Sequence, residues 1–179
     1  DFPEKHFDST IRQWDLIDGQ QRCTTLYLIL LCALPYFDEE WTAKASSFEK
    51  NQITRWTAWV TLPNKKNEEV PRVLPAGKGA LYLKHFIDSG GELLEPDGPS
   101  QENIRNAVQL IRSDYFDNWA KQEIFEFVNY MLGMVRVYQL AMGNSAQALR
   151  VFLKVNNRGL ELDPTDVIKS ILFRQIDDD

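Results

Sequence analysis

The chain has 179 residues, 44% of them hydrophobic and 12% aromatic, enough apolar side chain for one domain with its own core and too much for collagen-like, linker-like or disordered classes. Its 26 acidic residues outnumber 20 basic ones, and the net charge of −6 repels nucleic acid and anionic lipid on average, so any phosphate site has to be local. Two cysteines, Cys23 and Cys32, exclude a disulfide framework or a four-ligand zinc site built from them, and with no basic leader before a cleavable apolar stretch the expected location is cytoplasmic.

In chain order, Ile11 to Ile17 alternates and is predicted to be a strand running into a turn at Asp18-Gly19. Gln20 to Leu34 has no Gly or Pro, is rich in Leu and stops before Pro35, as a helix does when the following ring disfavours its continuation. Its apolar stretch from Leu26 to Leu34 falls far short of the ~20 residues of a membrane span and predicts a buried helix. From Asp38 to Gly98 the pattern is weaker. Ile, Thr, Trp and Val between Gln52 and Leu62 predict a strand, and Gly79 to Ile87 predicts a short helix ending near Gly90-Gly91.

Pro99-Ser100 opens a clearer helix, with Ile104, Val108, Ile111 and Tyr115 on one stripe, and a second runs from about Asn118 to Gly133 through Ile124, Val128, Met131 and Leu132. Met134 to Met142, bounded by Gly133 and Gly143, alternates and predicts a second strand. Two helices are expected after it. One starts around Ser145 and buries Leu149, Phe152 and Leu153. The other starts at Asp163 with Pro164 at its first position and Asp166 three residues after the cap, and buries Val167, Ile168, Ile171 and Leu172. The expected fold class is α/β in the α+β sense, rich in helix.

The sharpest chemical feature is Asp18-Gly19-Gln20-Gln21-Arg22 at a strand-to-helix junction. Unpaired backbone N–H groups and the positive dipole end at a helix N-terminus make an anion site, Gly19 allows close approach, and Arg22 offers a forked cation to phosphate oxygens. Asp18 would cap the helix or hold a metal or water. The same residues also make an ordinary cap, turn and surface side chain.

A second feature, Phe152-Leu153-Lys154-Val155-Asn156-Asn157-Arg158-Gly159, leads into the Asp163-Pro164-Thr165-Asp166 helix start. A helix-turn-helix corner accounts for most of it and leaves over Asn156 and Arg158, an amide and a guanidinium able to face one ligand.

Together, W-D-L-I-D-G-Q-Q-R-C-T-T-L and F-L-K-V-N-N-R-G-L-E-L-D-P-T-D-V-I-K-S resemble the two signature blocks of the ParB-like D-G-Q-Q-R domains. That family includes the GmrS part of the GmrSD modification-dependent restriction endonuclease and the phosphorothioate-sensing SspE protein. The resemblance spans about Trp14 to Phe173, with the two ends specific and a long variable helical stretch between them.

It implies a ParB/sulfiredoxin-like small-sheet core, with residues 1–37 as its first part, 38–133 as a mostly helical insertion and 134–179 as its second part. It also implies a domain that binds, and in some members hydrolyses, a nucleoside triphosphate with Mg²⁺ inside a bacterial restriction or phage-defence protein. Modified DNA and a downstream nuclease domain would be partners of the full-length protein, and no membrane is involved. By that carry-over Asp18, Gly19, Gln20, Gln21 and Arg22 form the nucleotide turn, and Asn156, Arg158, Gly159 and Asp166 match the second block. Arg22 and Arg158 would neutralise developing charge, with Asp18 or Asp166 orienting Mg²⁺ or water. A non-catalytic DNA- or partner-binding module of the same fold and a ParB-like nuclease are the alternatives.

Two departures stand out. Nothing before Trp14 matches the P-x-Y-Q-R-x-Y-x-W segment that usually opens the family, and Cys23 stands where the block usually has Leu, a conservative packing change. His6 and His85 are the only histidines, with no His or Cys at ligand spacing, which argues against a second, nuclease centre in this chain. The acidic groups at Asp38-Glu39-Glu40, Glu68-Glu69 and Asp177-Asp178-Asp179 are expected to be solvated faces or tails. Trp56 and Trp59 are candidates for a base-stacking surface or for packing.

Overall fold

The computed structural model describes residues 16, 19–63, 69–75, 78–137, 140–141, 147–148 and 150–152. The chain divides into two compact units, one holding 21–135 of the described residues and the other those at 14–20 and from 136 onward.

The first unit is helical. After α1 (Gln20–Ala33) a 3₁₀ turn, Leu34–Tyr36, places Pro35 where its missing N–H costs nothing. Helix α2 (Glu39–Lys44) is capped by Asp38, whose side chain accepts from the Trp41 N–H at 2.9 Å. Helix α3 (Ser47–Val60) starts with a capping box. The Ser46 hydroxyl accepts from the Glu49 N–H at 3.3 Å, and the Glu49 carboxylate accepts from the Ser46 N–H at 2.7 Å.

A short antiparallel hairpin follows, β1 (Thr61–Pro63) against β2 (Glu69–Pro71), with Leu62 opposite Val70. Arg72 fastens it to α3. Its guanidinium donates to the Ala58 carbonyl at 2.9 and 3.2 Å and to the Thr61 carbonyl at 3.2 Å, meeting the C-terminal end of the helix with a cation.

Helix α4 (Lys78–Asp88) ends as its glycines predict. Gly90 has φ +72°, and the Gly91 N–H reaches back to the Phe86 carbonyl at 2.7 Å while the Gly90 N–H reaches Ile87 at 3.1 Å, a Schellman ending. Helix α5 (Pro99–Gln109) runs into a π-helical turn, Leu110–Tyr115, and a 3₁₀ turn, Phe116–Asn118, before α6 (Lys121–Met134).

One core joins these elements. Leu28 and Cys32 of α1, Trp56 of α3, Leu83 of α4, Val108 of α5 and Ile124 and Val128 of α6 are all buried in it. Phe37, Trp41, Trp56 and Phe125 form a ring cluster with centroids 4.8 to 6.1 Å apart.

Three sequence expectations need correcting. Residues 52–60 are helix, and only Thr61–Pro63 is strand. The β-branched and aromatic content suggested a sheet, but the capping box starts a helix at Ser47, and Ile53, Trp56 and Val60 then fall on one face at i, i+3 and i+7. Of the stripe predicted on α5, Ile104, Val108 and Ile111 are buried, but Tyr115 is exposed because the wider π turn shifts the register past Ile111. Met134 still belongs to α6, and 135–137 and 140–141 are neither helix nor paired strand. Of the two alternatives held open for Trp56 and Trp59, packing holds for Trp56, which is a core residue, while Trp59 is exposed.

The predicted strand from Ile11 to Ile17, except for Leu16, and the helix from Asp163 lie outside the described residues. Gln147, Ala148 and 150–152 are helical, as expected for the helix starting near Ser145.

Candidate functional site

Helix α1 changes character along its length. Tyr27, Leu28, Leu30, Leu31, Cys32 and Ala33 are buried, whereas Gln20, Gln21 and Arg22 are exposed. The helix therefore enters the core by its C-terminal half and leaves its N-terminal turn open to solvent. The first four N–H groups of any α-helix have no intrahelical acceptor, and their aligned dipoles concentrate positive charge at that end.

Gly19 immediately precedes the helix with φ +82°, a left-handed conformation that disfavours side chains with a Cβ. The Gln20 side chain turns back along the chain, its Nε2 donating to the Leu16 carbonyl at 2.6 Å. That bond uses one of two amide donors and ties the segment before the turn to the first residue of the helix. Thr25 Oγ1 donates to the Gln21 carbonyl at 2.9 Å one turn further in. The first turn of α1 holds no acidic residue and does hold Arg22.

The structure thus brings Gly19, Gln20, Gln21 and Arg22 together at one exposed helix start. Asp18, Asn156, Arg158, Gly159 and Asp166 lie outside the described residues. Among the described residues, surface clefts elsewhere include one lined by Phe37, Asp38, Thr42 and Lys50 and another by Ile53, Thr57, Leu62 and Arg72. Asp38 caps α2 and pairs with Lys121 across to α6 at 2.5 Å, which holds its carboxyl below the ordinary carboxylate range, first through that lysine and then through the Trp41 N–H. Among the described residues no three His, Cys, Asp or Glu side chains group as a metal site.

The opposite end of α1 holds a cluster that sequence did not reveal. Arg112, in the π-helical turn, donates to the Gly91 carbonyl at 2.8 Å and lies over the Phe86 ring at 5.0 Å. It also neighbours Cys32, whose thiol burial pushes up to about 12 even though the arginine opposes that shift. Tyr36 is likewise pushed up to about 12, by burial first and then by the hydrogen bond it donates to Asp117. The cluster joins α1, the end of α4 and the π-helical turn. Only the tertiary packing unites residues so far apart in sequence.

A family model for the N-terminal domain of the GmrSD restriction endonuclease matches residues 4–173. The chain belongs to that family. The match includes both signature blocks and begins ten residues ahead of Trp14, where the resemblance of the blocks starts. No curated protein and no solved structure matches the chain. Among the described residues no helix of this GmrSD N-terminal domain is long and apolar enough to cross a membrane.

Proposed function

We infer that this domain binds a nucleoside triphosphate at the D-G-Q-Q-R turn and hydrolyses it. It would serve as the regulatory part of a bacterial modification-dependent restriction or phage-defence protein, with turnover gating a nuclease elsewhere in the polypeptide or in a partner chain. The observation that supports this most is Arg22 on the first turn of α1. A cation there opposes the helix dipole, so it weakens the helix and strengthens an anion site at the same end. Gly19 lets a phosphate approach the backbone N–H groups closely.

The exposed start of α1 fits a phosphate, which needs N–H donors and a guanidinium. Magnesium would arrive with the triphosphate, held by phosphate oxygens and one or two carboxylates, and would offset phosphate charge. Asp18 and Asp166 are the carboxylates the two blocks supply for it. Within the same reading Arg158 adds a second cation, while Asn156 and Gly159 contact the nucleotide.

The test measures nucleotide binding and phosphate release for wild type and Arg22→Ala, with a thermal-shift panel of nucleoside triphosphates and Mg²⁺. A triphosphate-dependent rise that the variant loses supports the reading. A flat panel overturns it in favour of a non-catalytic DNA- or partner-binding module. Metal-dependent strand cleavage by the chain alone would favour the ParB-like nuclease.

A further inference from the structure

Helix α6 buries Ile124, Phe125, Val128 and Met131 in the core, yet it also carries apolar side chains that the core does not use. Phe127 is 36% exposed, Tyr130 66% and Met134 63%, and Tyr115 of the π-helical turn is 49% exposed. These groups are continuous. The Tyr115 ring meets Trp119 at 6.2 Å, and Trp119 meets Phe127 at 5.4 Å. Tyr130 and Met134 follow Phe127 at i+3 and i+7, which sets them on the same side of the helix. A contiguous exposed apolar surface of this kind marks an interaction site.

Its rim is acidic. Between Ser113 and Val135 the sequence has four acids, Asp114, Asp117, Glu123 and Glu126, and one base, Lys121. Lys121 is committed to Asp38, while Asp117 accepts from Tyr36 and Glu123 accepts from the Ala120 N–H at 2.8 Å. Asp114 adjoins Tyr115 in sequence, and Glu126 lies one turn before Tyr130. The surface therefore repels a phosphate backbone and favours cations, and aromatic faces favour guanidinium above other cations.

We propose that the surface from Tyr115 to Met134 binds a basic amphipathic helix of a protein partner. Arginines of the helix lie on the Tyr115, Trp119 and Tyr130 rings and against Asp114 and Glu126. Its apolar stripe covers Phe127 and Met134. The surface is independent of the D-G-Q-Q-R turn and of the nucleotide reading.

The test titrates the 179-residue chain with a labelled helical peptide bearing arginines on one stripe and leucines on the next, and with the same peptide carrying glutamate in place of arginine, reading fluorescence anisotropy at low and high salt. The arginine peptide binds, salt weakens it, and the double variant Tyr130→Ala with Glu126→Lys weakens it by about tenfold or more with an unchanged melting curve, because both positions are exposed. Hydroxyl-radical labelling modifies Tyr130 and Met134 readily in the unliganded chain and poorly in the complex. Equal binding of the two peptides, no binding, or indifference to the double variant overturns the proposal. So does protection of Tyr130 and Met134 in the chain alone, a dimer that the double variant dissociates, or preference for a single-stranded oligonucleotide.

Discussion

Along α1 the same fourteen-residue helix serves two ends that differ in every physical respect. From Tyr27 to Ala33 side chains are buried, the Tyr27 hydroxyl donates to the Val60 carbonyl, and Cys32 is fully enclosed. From Gln20 to Arg22 every residue is exposed, and the Gln20 side-chain amide donates to the Leu16 carbonyl four residues back. The buried end is fixed by packing, which tolerates little change. The exposed end is fixed by local turn chemistry, so its residues are open to selection for binding.

Four measurements sharpen or break that contrast. The largest effect is expected at the buried end, where Leu28→Ala removes a 2% exposed side chain and should cost about 2–5 kcal/mol in urea unfolding. A cost below about 1 kcal/mol would mean that α1 is not anchored in the core as described.

Next comes alkaline pH. The Cys32 thiol is raised from an ordinary 9.0 to about 12, so the folded chain holds this proton more tightly than the unfolded chain. The contribution is full below pH 9.0 and is lost as pH rises toward about 12. A melting series of wild type against Cys32→Ala reads it, and the variant should lose less stability over that interval.

A smaller effect belongs to Gly19→Ala, which forces a Cβ into φ +82° and should cost about 1–2 kcal/mol by differential scanning calorimetry. Smallest in stability is Arg22→Ala, expected to change unfolding by no more than about 0.5 kcal/mol while abolishing the triphosphate-dependent rise in melting temperature. If it unfolds the domain instead, the exposed end is structural and the contrast fails.

Much of the helical layout was legible. Pro35, Gly90-Gly91 and Pro99 each act on neighbouring backbone, and the ends of α1 and α4 and the start of α5 follow from them. Where β-branched and aromatic content competed with a cap, content misled. Gln52 to Val60 reads as a strand until the Ser46–Glu49 capping box is given priority. Alternation from Met134 onward was equally deceptive, since Val135 and Val137 are exposed without strand pairing among the described residues.

Of the candidate site, Gly19 and Arg22 were visible because a turn glycine and a first-turn cation are local signals. The Arg112–Cys32–Tyr36 cluster was not, because Arg112 lies 80 positions after Cys32 and only packing makes them neighbours.

By itself the sequence determined the family, through two short blocks, and the helix starts and stops, through caps, prolines and glycines that act within a few residues. Tertiary structure decided which faces those helices bury. Trp56 and Trp59 sit three residues apart in one helix, yet one is 1% exposed in the ring cluster and the other 39% exposed under Arg55. The reason is that burial is a property of the surface a helix meets. The start of a helix depends on its own first turn, whereas the fate of a side chain depends on residues far away along the chain.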